Sequence, residues 1–249
     1  MTGSHPVLAR RPRRALLREL RGCNSGLALT EFAFSLPILL ALSLYGFETA
    51  NLAIAHLRVS NIATITADSA ARVRDSIDEA NIVELMTGAK MTGNSIRFAE
   101  NGRIFLTDIE RHTDGRQWIR WQRCDGALNV ASSYGPDFRP KRANGAVIAD
   151  GTEIYQSNRT TLSDASQRSD PTYSTLTAVG PAGRQISAAS GTAVMVVEVV
   201  YNYQPIVSER LFGPIQIRYE SAYSVRQRSD QSLRNAGRIT PRSCNAFQA

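Results

Sequence analysis

Residues 27–47 read LALTEFAFSLPILLALSLYGF, and 15 of these 21 residues are apolar. A helix of that length rises about 30 Å, enough to cross the hydrocarbon core of a bilayer. The charge around it is lopsided. Residues 1–25 carry six arginines against Glu19, a net +5, while the stretch after the run offers only Arg58 and, further on, Arg72. The positive-inside rule then places residues 1–25 in the cytoplasm and the chain from about residue 50 onward outside. A cleavable export signal is the rival reading, because Ala53-Ile54-Ala55 has the small-x-small form of a cleavage site ahead of His56. Such signals have apolar regions of only about 7–15 residues, and they have no reason to carry a Glu31.

The rest of the chain is polar for a globular core. Of the net +7, a further +4 lies between Arg226 and Arg242, which leaves −2 for everything between the two basic ends. That distribution argues against a nucleic-acid binder. Three cysteines (Cys23, Cys124, Cys244) are too few for a disulfide scaffold, and none stands in a zinc-like cluster. Cys124 and Cys244 fall on the same, oxidising side of the apolar run, where they either pair or remain free thiols.

Glu31 interrupts the run about one turn in. A carboxylate costs ~2.5–3.5 kcal/mol at mid-bilayer and less near the interface. It either snorkels to the headgroups or pairs with a positive group on another chain. A cut after Gly26 would give Leu27 a new ammonium and make Glu31 the fifth residue. This resembles the N-terminus of type IV pilins and pseudopilins. More narrowly, residues 21–72 are similar to the TadE/TadG-like proteins of the tight-adherence (Tad) pilus system. The matches are Arg21-Gly22, Gly26, Thr30-Glu31-Phe32, Leu36-Pro37 and Gly46-Phe47-Glu48. Two glycines compete as the cut site, and only Gly26 leaves a fifth-residue Glu.

The resemblance implies a prepilin peptidase cutting between Gly26 and Leu27, with Glu31 meeting the N-terminal amine of a neighbouring subunit. It implies other pilin or pseudopilin subunits, Tad assembly proteins and inner-membrane lipid as partners, with no nucleic acid. The expected placement is a single-pass protein of a bacterial inner membrane, N-terminus cytoplasmic and C-terminal domain periplasmic.

Beyond the membrane run the spacing of Ile54, Leu57, Ile62, Ile65, Val73 and Ile77 predicts one apolar stripe and a helix running on to about residue 86. Asp68–Arg72 and Arg74–Asp78 are i,i+4 pairs, and Gly88 reads as the C-cap. The period then changes. Ser95–Ala99 and Arg103–Ile109 flank Asn101-Gly102, a hairpin signal. Gln117–Cys124, Ala193–Gln204 and Pro214–Gln227 read as further strands. Residues 125–192 read as loops with one short strand at Gly145–Ala149. A similar pairing of a WQR-C strand with late strands occurs in TadE-like proteins, which implies a Cys124–Cys244 bridge.

The expected fold is α+β: a long pilin-like helix, then a small antiparallel sheet with long loops. Its divisions are a basic arm (1–25), the helix (26–88), the sheet domain (89–228, with the loop-rich insertion) and a mobile basic tail (229–249).

No nucleophile–base pair, phosphate loop or metal-binding spacing is present in the sequence. Asp108, Glu110 and Asp114 beside His112 read as a solvated strand end, and Trp118 and Trp121 as sheet aromatics. The expectation is a non-enzymatic assembly component with no cofactor and no metal. The alternative is a membrane-tethered periplasmic adhesin or envelope scaffold unrelated to pili.

Overall fold

The computed structural model describes residues 26–111, 117–134, 183, 185–190, 192–228 and 230–248. The fold is α+β, and the chain divides into two compact units, Met1–Ala50 and Asn51–Ala249.

Helix α1 covers Leu27–Arg72 and continues through Pro37. Within the first unit it exposes large apolar side chains along its length. The most apolar 18-residue window is 0% buried and passes the length and hydropathy requirements for crossing a membrane. Its hydroxyls turn inward: Thr30 donates to the Leu27 carbonyl (2.8 Å) and Thr49 to that of Tyr45 (2.8 Å). That satisfies donors that would be costly in an apolar medium.

In the second unit the same helix packs on a four-stranded antiparallel sheet. Strands β2 (Gly102–Arg111), β3 (Gln117–Asp125), β4 (Ala193–Asn202) and β5 (Gln216–Ser224) stand in the order β3-β2-β4-β5. Ile104, Leu106, Trp121, Met195, Val197, Val199, Tyr201 and Ile217 form the face that meets the helices. The other face is covered too. Phe105, Cys124 and Val200 lie under Leu128 and Val130, and Ile109, Val194 and Val196 lie with Tyr134 and Ala188. Burial on both faces explains why β4 reads as a near-continuous apolar run rather than an alternation.

The expected stripe holds at Ile62, Val73 and Ile77 and is corrected at its other positions. The buried side of α1 is Ala55, Val59, Ile62, Ala63, Ala67, Ala70 and Ala71, while Ile54, Leu57 and Ile65 are exposed. Alanines let the helix backbone approach the sheet closely, and the bulk filling the gap comes from the strands.

The helix also stops earlier than expected. Asp75 takes a left-handed backbone (φ 59°), and β1 (Ile77–Asp78) follows. Asp78 then caps a new helix, α2 (Glu79–Thr92): its side chain accepts from the Ala80 N–H, and the Asn81 side chain accepts from the Asp78 N–H, both at 3.0 Å. Arg74 therefore lies beyond the helix on which its pairing with Asp78 was expected, whereas Arg72–Asp68 does form at 2.8 Å. The C-cap is Gly93, not Gly88.

Ser95–Ala99 is not a strand. A 3₁₀ turn at Asn94–Ile96 and a short helix α3 (Phe98–Asn101) occupy that stretch. Gly102 opens β2 instead of turning a hairpin. A Cβ there would stand 2.3 Å from the Phe98 ring, so this glycine serves packing. The antiparallel partner that follows β2 in the chain is β3, with Asp108 opposite Trp121 next to a β-bulge.

The sequence predicts a mobile tail over 229–249 apart from Cys244, yet residues beyond Cys244's reach also pack on the domain. Strand β6 (Leu233–Arg234) pairs in parallel with β1, and the Arg242 carbonyl accepts from the Cys124 N–H at 3.0 Å. The expected strand at Gly145–Ala149 lies outside the described residues.

Candidate functional site

The start of α1 carries the residues singled out from the sequence. Gly26 sits directly before the helix, Leu27 is its first residue, and Glu31 lies one turn later on the same side. All three are exposed. A Cβ placed on Gly26 meets nothing within 4 Å among the described residues. Glu48, from the Gly46-Phe47-Glu48 group, is by contrast buried. The Ala53-Ile54-Ala55 stretch lies inside α1, with Ala55 in the core.

Cys124 and Cys244 are joined by a disulfide with Cα atoms 4.7 Å apart, across a sequence separation of 120 residues. The bond ties the tail to β3 beside Phe105 and Val200. Arg103 reinforces it from the next strand. Its guanidinium donates to the Cys244 carbonyl (2.6 Å) and the Ala246 carbonyl (3.2 Å), and it stacks 4.1 Å from the Phe247 ring centroid. Burial pulls the Arg103 pKa down, with Asp125 opposing. The tail thus becomes structure because its backbone carbonyls accept from an arginine on the sheet.

The sheet holds several charges that the sequence reading passes over. Arg123 makes a buried two-pronged contact to Glu79, with Nε 2.9 and 3.1 Å from the two carboxylate oxygens. Glu79 is in the first turn of α2, where a negative charge also complements the helix dipole. On the other face Glu198 accepts from the Ser132 and Ser133 hydroxyls and pairs with Arg218, while Tyr134 donates to Glu220 at 2.9 Å. These bonds fix residues 132–134 over the sheet.

Asp108 is the exception. It is fully buried, and neither carboxylate oxygen has a hydrogen-bond partner among the described residues. Burial, then the nearby Glu110, holds its pKa well above the usual carboxylate range, against Arg228 and Arg120. Glu110 is also raised, chiefly by burial, although Arg120 donates to it at 2.7 Å. Asp108 is therefore an interior group and Glu110 a half-buried one, which corrects the expectation of a solvated strand end. Asp114 and His112 lie outside the described residues.

Among the described residues no group of three or more His, Cys, Asp or Glu is placed to hold a metal ion. His56 sits edge-on to Tyr219 with ring centroids 5.9 Å apart. Trp121 is a core residue whose indole N–H donates to the Gln231 carbonyl at 3.2 Å.

A sequence signal marks one of the buried charges. Glu198 interrupts the apolar run of β4, a strand buried along almost its whole length, whereas Arg103, Asp108 and Arg123 stand in strands that carry other polar residues and give no such signal. Comparisons with family models, with curated proteins and with solved structures return no significant match.

Proposed function

We propose that this chain is a non-enzymatic, membrane-anchored pilus-assembly component, a minor pseudopilin-like subunit of a Tad-type apparatus. The observation that carries the reading is the exposed apolar half of α1, interrupted by a carboxylate one turn from its start. In this reading residues 27–47 span the inner membrane, with residues 1–25 cytoplasmic and the sheet domain periplasmic. A disulfide in the sheet domain suits an oxidising compartment.

Prepilin peptidase cuts between Gly26 and Leu27. Glu31 then neutralises the Leu27 ammonium of a neighbouring subunit, two charges that lipid disfavours singly becoming tolerable as a pair. A glycine at the cut fits a peptidase that must take the backbone extended. The exposed Ile54, Leu57 and Ile65 face neighbouring helices in the assembly.

The test is the N-terminus of the mature protein, combined with Glu31→Gln. The expected result is Leu27 as first residue, with a Glu31→Gln variant that inserts in the membrane but no longer enters the assembly. A start at Met1 removes the peptidase step and leaves a permanent anchor. A start at His56 sinks the reading, because the apolar half of α1 is then gone. A Glu31→Gln variant that assembles normally favours a tethered adhesin or envelope scaffold instead.

A further inference from the structure

Within the second unit, the side of α1 turned away from the sheet has a repeat of its own. Ile54, Leu57, Asn61 and Ile65 are all exposed, and steps of three, four and four residues set them on one side of the helix. The sheet occupies the side opposite, through Ala55, Val59, Ile62 and Ala63.

These steps match the seam of a two-stranded coiled coil. Ile54 takes an a position, Leu57 the d position after it, and Asn61 the next a. A β-branched residue at a with leucine at d favours two parallel strands. Thr64 stands at the following d, its hydroxyl donated back to the Ser60 carbonyl at 2.9 Å, and Ile65 flanks it. The next a is Asp68, whose charge is answered within its own chain by Arg72 at 2.8 Å and Arg226 at 3.9 Å. The seam therefore ends before Asp68, after about three turns.

Asn61 says which surface fits. Lipid or a purely apolar helix would leave its amide without a partner, at a cost. A second copy in parallel register brings Asn61 opposite Asn61, where one amide N–H donates to the other amide oxygen. Across the same seam Arg58 meets Ala53 of the second copy, so no like charges face each other.

We propose that α1 pairs in parallel and in register with α1 of a second copy of this chain, along Ile54, Leu57, Asn61 and Ile65. The proposal rests on the membrane reading above and names the neighbour that the exposed side meets. Three turns of seam are too short to hold free chains together. Tethering in one membrane raises their effective concentration and makes a weak seam sufficient.

The test uses the full chain with Cys23→Ser, kept non-reduced so that Cys124–Cys244 stays closed. It is the only protein in phosphatidylethanolamine–phosphatidylglycerol vesicles. One cysteine is introduced as Ile54→Cys, Leu57→Cys or Ala236→Cys, and a short bismaleimide joins thiols that meet. A band of twice the chain's mass is expected for 54 and 57, and none for 236, an exposed position on the tail. Adding Asn61→Asp sets two carboxylates face to face and should remove most of both bands. An alkaline wash of the same vesicles checks the anchor. If the chain resists the wash but 54 and 57 give no more dimer than 236, the pairing is overturned and the anchor stands. Bands that survive Asn61→Asp overturn it in the same way. So does a dimer that forms only when Leu57→Cys and Ile65→Cys chains are mixed, which is the product of an antiparallel pair centred on Asn61. Release of the chain by the wash overturns the anchor reading and the pairing with it.

Discussion

Helix α1 is one element with two opposite solutions to burial. From Leu27 to Phe47 the large side chains are exposed, and the described protein covers none of the most apolar window. From Asn51 to Arg72 the buried side is mostly alanine and the larger Ile54, Leu57 and Ile65 stay exposed. Hydrophobicity alone therefore does not say what a helix buries. In the second half the sheet supplies the bulk, and small helix residues permit close approach. In the first half there is bulk without a protein surface to meet it, which suits an apolar solvent.

The contrast holds only if the sheet is locked to the helices, and the largest expected effect comes from breaking that lock. Removing one partner of a buried ion pair costs about 3–5 kcal/mol, because the other charge is stranded. Glu79→Ala, which leaves Arg123 buried and without its carboxylate, should lower unfolding stability by that amount in urea titrations of the micelle-solubilised chain. A loss under about 1 kcal/mol would mean water reaches the pair. Opening the Cys124–Cys244 bridge by a double serine substitution should cost about 2–5 kcal/mol, since the bond closes a long loop. Protease digestion should then attack the tail first.

A mid-sized effect tests the alanine face directly. Ala67 is fully buried in the contact between α1 and the sheet. Ala67→Leu adds volume where there is no gap and should destabilise by about 1–3 kcal/mol. The same measurement on Ala41→Leu, in the exposed half, should show no penalty.

These alanines show how far the sequence could be read. The apolar run, the change of period after the helix and four of the strands are visible in local pattern, because each repeats one physical rule over several residues. The buried face of α1 is legible only in part, since the spacing of the large residues picks out the buried Ile62 together with the exposed Ile54, Leu57 and Ile65. Only the approach of a distant sheet decides which side is inside. Asn101-Gly102 misled for a similar reason: the signal is local, while the demand on Gly102 comes from the Phe98 ring. At the candidate site, Gly26, Leu27 and Glu31 are legible as a spacing. Asp108, Glu79 and Arg123 are not, because their meaning depends on which strand face is covered.

A smaller effect follows from Asp108. Its carboxyl has a raised pKa in the fold, so folding takes up a proton. The stability associated with this group is complete below the unfolded value, about 3.9, and is lost as pH rises through the folded value. Asp108→Asn, which removes the titrating group, should therefore flatten the fall in stability above about pH 4. A steeper fall in the variant would show that the ionised carboxylate is held by Arg228 and Arg120 after all.

The smallest effect separates a merely exposed stripe from a used one. Leu57 is 67% exposed and Ile65 54%, so Leu57→Ala and Ile65→Ala should change the stability of the isolated chain by no more than about 0.5 kcal/mol. If neighbouring helices meet this side, the same variants should still weaken cross-linking between subunits in membranes, a loss that the folding measurement does not register. A larger stability cost would place these residues against the chain's own domain. The two halves of α1 would then differ only in how much of each is covered, not in which side faces a partner.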